Sequence, residues 1–177
     1  ESAVAKLLPK IDLPALLIEV DRWTGFSAHF MHAGGTTRRA HDLSKVLYAS
    51  ILAHACNFGL QQMASISDIS YDRLDWCTTW YLREECLRAA LAAIVDHHHG
   101  LPLAQVWGGG TLSSSDGQRF PAARGVRQAK ACPKYFGHGK GMTFYSWTSD
   151  QFSQYGSKVI PTTARDATYV LDEILDN

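Results

Sequence analysis

The residues best equipped for chemistry sit in one short run, Trp107-Gly-Gly-Gly-Thr-Leu-Ser-Ser-Ser-Asp-Gly-Gln-Arg-Phe120. Asp116 offers a hard carboxylate oxygen of the kind divalent cations take. Gln118 and Arg119 can donate to anionic oxygens, and Gly117 leaves room for a bulky partner beside the acid. Gly108, Gly109 and Gly110 permit positive φ and close backbone approach, while Ser113, Ser114 and Ser115 stand where β-branched residues would pack a strand better. Local stability is given up here around a single acid. The competing reading is a Ser/Gly turn carrying a surface aspartate.

Two other groups deserve the same question. His97, His98 and His99 end a helical stretch, where cations suit the macrodipole, but three consecutive side chains on a helix diverge and do not converge on one metal. A zinc-dependent hydrolase built on them is therefore a distant third reading. Cys56, Cys77, Cys86 and Cys132 are widely spaced with no CxxC, which reads as reduced, buried thiols of a cytosolic protein.

Charge is balanced over the 177 residues, with 17 basic and 17 acidic side chains, so net charge names no partner. Its distribution is more informative. From Gly117 to Arg165 the basic residues Arg119, Arg124, Arg127, Lys130, Lys134, Lys140, Lys158 and Arg165 are opposed only by Asp150. Such an excess can track a phosphate backbone, or it can be solvated loop lysines. Hydrophobic residues at 46% and charged residues at 19% describe an ordinary globular chain, and no apolar run reaches the length of a bilayer span. The chain starts at Glu1 without a signal-like segment, which reads as a piece of something longer.

The elements that must position these groups follow from periodicity. Asp12, Pro14 and Gly25 bracket a short amphipathic helix through Leu16, Leu17, Val20 and Trp23. Leu43, Val46, Leu47 and Ile51 recur at helical spacing up to Gly59. A brief piece spans Leu60 to Ala64, and Ser70 opens a long helical stretch with Leu87, Ala90, Leu91, Ile94 and Val95 as its apolar stripe. Trp23, Trp76, Trp80 and Tyr81, aromatics at helical spacing, are expected in the core. Gly100, Leu101 and Pro102 break the pattern, giving a helical region over 1–100 and a second region over 101–177. Beyond the break, strands are expected at Ala104 to Trp107 and Leu112 to Phe120, at Met142 to Trp147, and at Lys158 to Pro161. The basic segment from Pro121 to Gly141 reads as a mobile excursion. Arg165 or Asp166 opens a last helix through Val170, Leu171, Ile174 and Leu175. The fold class is α+β.

At this point an ordered set of strings resembles the Tn-three family of bacterial replicative transposases. They are Leu8-Pro-Lys-Ile-Asp-Leu-Pro14, Glu19-Val-Asp-Arg-Trp-Thr-Gly25, Asn57-Phe-Gly-Leu60, Trp80-Tyr-Leu-Arg-Glu84, Ser113-Ser-Ser-Asp-Gly-Gln-Arg-Phe120, Lys134-Tyr-Phe-Gly137, Ser149-Asp-Gln-Phe152, Lys158-Val-Ile160 and Arg165-Asp-Ala167 with Val170-Leu-Asp172. The resemblance implies a helical region followed by the opening half of an RNase H-like domain, three antiparallel strands and the first helix. Asp116 is then the first carboxylate of a DDE triad and a ligand of a two-magnesium site. The second Asp and the Glu match no position here, so the isolated chain is expected to be inactive. The family's Gly-Asp-Gly is Gly108-Gly109-Gly110 in this sequence, so that supporting carboxylate is absent.

The implied partner is double-stranded DNA, transposon ends and target, in the bacterial cytoplasm at the nucleoid. Phosphate contacts are expected from Arg119, Arg124, Arg127, Lys130, Lys134 and Lys140, with Arg119 nearest the carboxylate. In an RNase H-like sheet the first strand is interior. A missing neighbour would open its edge and invite self-association. The alternative function is a non-catalytic DNA-binding or scaffold module derived from a transposase.

Overall fold

A computed structural model describes residues 6–7, 9–35, 42–122, 126 and 128–172. The chain forms two compact units, residues 1–97 and 98–177.

The first unit is helical. Helix α1, Leu13–Thr24, starts after Asp12 in extended backbone with Pro14 in its first turn, and stops where Gly25 takes φ +65° and returns its N–H to the Asp21 carbonyl. A 3-10 turn, Phe26–His29, follows. Asp21 fastens this corner, its Oδ1 accepting from the Ser27 amide at 2.7 Å and its Oδ2 from the Tyr48 hydroxyl. Helices α2 (Leu43–Ala55), α3 (Gly59–Ile66), α4 (Tyr71–Tyr81) and α5 (Glu84–His99) follow in turn. Their core gathers Phe26, Phe30, Val46, Leu47, Ala53, Met63, Leu74 and Cys77.

Three sequence expectations change in this unit. The α2 run ends at Ala55, four residues before Gly59, with Asn57 in the left-handed region at φ +55°. The stretch after Ser70 is two helices, because the backbone leaves the helix at Leu82 and Arg83 sends a guanidinium nitrogen to the Met31 carbonyl at 3.1 Å. The tryptophans are not core. Trp23, Trp76 and Trp80 are 56%, 38% and 41% exposed, and only Tyr81 of that group is buried. Helical spacing places a residue on a face, but cannot say whether that face is covered.

The second unit is an antiparallel sheet with short helical pieces. Pro102–Gln105 is a single helical turn, α6, where a strand was expected: Leu101 is extended and Pro102 sits at the first helical position. Strand β1 is Ser113–Pro121, β2 is Lys130–Ala131, α7 is Pro133–Phe136, β3 is Lys140–Ser149 and β4 is Gln154–Pro161. The segment between Pro121 and Gly141 thus carries a strand and a helical turn of its own. Strand β3 is central, paired with β1 over the whole of β1 and with β2 and β4 on its other side.

Residues of β3 alternate, with Gly141, Thr143, Tyr145 and Trp147 buried. Trp147, Tyr145 and Ile160 form the core of this unit, with Tyr155, Tyr169 and Val170 packed against it. A 3-10 turn, Asp166–Tyr169, stands where the last helix was expected to open; Ile174 and Leu175 lie outside the described residues. The indole N–H of Trp147 donates to the Val170 carbonyl at 2.9 Å, tying this segment to one face of the sheet.

Candidate functional site

Strand alternation decides where Asp116 points. Ser115, Gly117 and Arg119 are half-buried, whereas Ser114, Asp116 and Gln118 are exposed, so the acid stands on the open face in the middle of a nine-residue strand. Directly across from it is Ser146, and across from Ser146 on β4 is Ser157. Asp116 Oδ1 accepts the amide of its own neighbour, Gly117, at 2.8 Å. Among the described residues no donor reaches Oδ2. A carboxylate with Ser114 and Ser146 beside it, the Gln118 and Phe144 pair on its other flank, and one oxygen free suits one cation ligand. It is not a complete cation site, since no group of three His, Cys, Asp or Glu among the described residues could hold a metal.

Gly117 does not leave room for an outside partner. A Cβ there would stand 3.0 Å from Asp166 Oδ2 and from Thr143 Cγ2, so its space is taken by the chain itself on the covered face.

Arg119 is three positions from Asp116 and therefore on the opposite face, a correction to its expected place beside the acid. Its guanidinium lies 4.4 Å from the centre of the Tyr135 ring, and Lys134 Nζ lies 5.1 Å from the same ring. Its Nε is buried without a partner. Lys130 and Lys140 are exposed where β2 meets β3, opposite Gly141 and Ala131. Arg119, Lys130, Lys134 and Lys140 thus belong to one end of the sheet. Arg124 and Arg127 lie outside the described residues. Lys158, part of the same basic excess in sequence, pairs with Asp172 at 2.6 Å and lies over Tyr169.

The three histidines share no partner. His97 stacks on Trp23 at 6.0 Å, His98 Nδ1 is buried without one, and His99 Nδ1 meets Gln151 Oε1 at 3.2 Å. Gln151 is a polar residue that sequence reading passed over. It is almost wholly buried, and its amide also donates to the Gly108 carbonyl at 2.9 Å. Asp150 beside it accepts the Gly110 amide at 2.9 Å. The glycine run is therefore anchored by the β3–β4 turn, and a Cβ at Gly108 would fall 2.3 Å from Asp150 Cγ. At Gly109 a Cβ would meet nothing within 4 Å. The four cysteines are free thiols, Cys77 and Cys86 buried. Among the described residues no helix is long and apolar enough to cross a membrane.

Against known families, residues 15–177 match the Tn3 transposase DDE domain. The chain belongs to this family. Among curated Tn3-family relatives, it is 41% identical over 175 residues to the transposase for transposon gamma-delta of Escherichia coli (strain K12), covering 98% of this chain and 18% of the relative. It is 43% identical over 174 residues to the transposase for transposon Tn501 of Pseudomonas aeruginosa, covering 97% and 17%. For the transposase for transposon Tn4556 of Streptomyces fradiae the identity is 39% over 176 residues, covering 99% and 20%. The chain thus spans about a fifth of the length of the Tn3-family transposases it matches.

Proposed function

We propose that this chain is the segment of a Tn3-family transposase that leads into and opens its catalytic domain. That domain is RNase H-like, and it cuts and joins DNA strands in replicative transposition. Asp116 is the first carboxylate of its DDE triad. The observation that carries this reading is the free oxygen of Asp116 at mid-strand, on the open face of the sheet with Ser146 directly across from it. When bound, magnesium supplies activation of the attacking oxygen and stabilisation of the leaving one. The role of Asp116 is to hold one such ion against a phosphodiester, and the serines around it leave space for the backbone of the substrate. One carboxylate does not define a two-ion site, so residues 1–177 alone are inactive.

The partner is duplex DNA, transposon ends and target. Lys140 stands near Pro121 of β1, five residues or roughly 17 Å from Asp116 along the strand. That is about half a helical turn of B-DNA. A duplex laid along β1 on the open face brings a phosphate to Lys140 while another meets Asp116; Lys130, across from Gly141, and Lys134, over the Tyr135 ring, flank the same end of the sheet from the other face. Arg119, also on that other face, packs over the ring of Tyr135 beside Lys134. Arg124 and Arg127 belong to the same basic excess. Such contacts carry no base information, and affinity falls as salt is added. The protein works in the cytoplasm, at the nucleoid.

In the full-length transposase, Asp116→Asn should abolish magnesium- or manganese-dependent strand transfer and leave duplex affinity intact. Strand transfer that survives the substitution sinks the catalytic assignment and leaves a non-catalytic DNA-binding module. Robust strand transfer by residues 1–177 alone sinks the claim of inactivity.

A further inference from the structure

Phe152 holds φ +61° in the turn between β3 and β4, a conformation that is a true outlier for a bulky side chain and that glycine or asparagine adopts freely. Burial does not offset the strain. The ring is 72% exposed, and its aromatic neighbour is Trp107, met edge-on at 5.4 Å and itself 64% exposed. Nor is the turn a loose tip. Gln151 bonds the Gly108 carbonyl and His99, Asp150 Oδ1 accepts the Gly110 amide, and the Asp150 amide donates to the Leu112 carbonyl at 3.0 Å. Two solvent-facing rings are thus held on a fixed frame at a cost to the backbone, and strain kept in place by its surroundings marks functional positions.

Beside the Phe152 ring lies an open depression of about 390 Å³, lined also by Leu112, Ser114, Thr148 and Asp150. Ser114 and Thr148 are register partners on the open face of the sheet, the face of Asp116. Ser114 is two residues from the acid, roughly 7 Å along the strand. A DNA strand that meets Asp116 and runs on past Ser114 along this face is directed toward the depression beside Phe152.

We infer that Phe152 and Trp107 form a stacking site for an unpaired nucleobase next to the phosphate held at Asp116. The inference rests on the DNA-processing role proposed above and adds to it a single-stranded substrate segment. Stacking of this kind is tolerant of sequence, because every base presents a π face. The hydroxyls of the cavity suit the sugar and backbone of that nucleotide. The exposed rings take no part in duplex phosphate contacts.

The deciding variant is Phe152→Gly, since glycine fits the observed φ and the chain should melt at the same temperature or higher. Its affinity for an oligothymidine, read by fluorescence anisotropy, should fall about tenfold while duplex affinity stays unchanged. A 5-iodouracil placed in that oligonucleotide should photocrosslink to the peptides holding Phe152 and Trp107, and Trp107→Ala should reduce the yield. A lower melting temperature for Phe152→Gly makes the ring structural and overturns the inference. So does unchanged single-strand affinity, or the loss of self-association in place of DNA binding. If the unmodified chain binds neither duplex nor single strands at low salt, the DNA reading falls with it. If duplex binding is salt-dependent but Phe152→Gly changes nothing, stacking alone falls.

Discussion

Trp147 is the side chain on which the sheet unit depends most, and its replacement can be worked out from its surroundings. It is fully buried, packs edge-on to Tyr145 at 4.7 Å, and donates its indole N–H to the Val170 carbonyl. Trp147→Phe deletes that hydrogen bond, about 1 kcal/mol net, and leaves a partly unfilled space worth about 1 to 2 kcal/mol more. Trp147→Ala should cost about 3 to 5 kcal/mol. The unit spans residues 98–177, and a domain of that size holds about 4 to 12 kcal/mol in total. The alanine variant therefore removes between about a quarter and all of that stability, while the phenylalanine variant has a Tm lower by about 8 to 24 °C.

Urea and thermal unfolding followed by circular dichroism measure both values. Hydrogen exchange adds a directional test. Because the lost bond is to Val170, amides over 166–172 should open in Trp147→Phe before those of β3 do. An alanine variant that loses under about 1 kcal/mol, against the expected range, would refute the account of this core. Uniform loss of protection across the sheet in Trp147→Phe would show that Val170 is not held through the indole.

The remaining predictions concern both units. Gly141→Ala should destabilise by about 2 kcal/mol, because a Cβ there meets the Phe136 ring and, at 2.7 Å, the Phe120 carbonyl of β1, which is backbone and cannot step aside. Gly109→Ala, open on all sides, should move the urea midpoint little; equal effects would contradict the packing described. The Tyr48 phenol is pushed up to about 12, first by burial and then by its hydrogen bond to Asp21 and the charge of that carboxylate. The folded helical unit thus favours the neutral phenol, so its stability holds below pH 10 and falls as pH climbs from 10 toward 12. Tyr48→Phe should flatten that slope, and an unchanged slope removes Tyr48 as its source. Iodoacetamide on the folded protein should modify Cys56 and Cys132 and spare Cys77 and Cys86; mass spectrometry showing Cys77 labelled first would contradict its burial. Among the described residues the far edge of β1 pairs with no strand, so sedimentation should show concentration-dependent association, and a clean monomer throughout would count against it.

Much of the local structure was written in short stretches of sequence. Pro14 and Gly25 mark the two ends of α1, because a first-turn proline and a left-handed glycine act within one turn of the backbone, whereas Asp12 stands at the N-cap position without a side-chain hydrogen bond to the helix. Period two places Asp116 and Arg119 on opposite faces, a consequence legible before any coordinates and missed when proximity in sequence stood in for proximity in space. What the sequence could not decide was which faces are covered. The spacing of Trp23, Trp76 and Trp80 matches a core stripe, yet whether a stripe is buried depends on what packs over it. The buried grip of Gln151 on Gly108 depends on residues more than forty positions apart meeting, whereas the turn at Pro102–Gln105 in place of a strand follows from Pro102 at the first helical position and is open to a local reading. Chemistry at Asp116 is a property of one side chain and reads from its neighbours; the platform that holds its free oxygen outward is a property of β3, and only folding supplies it.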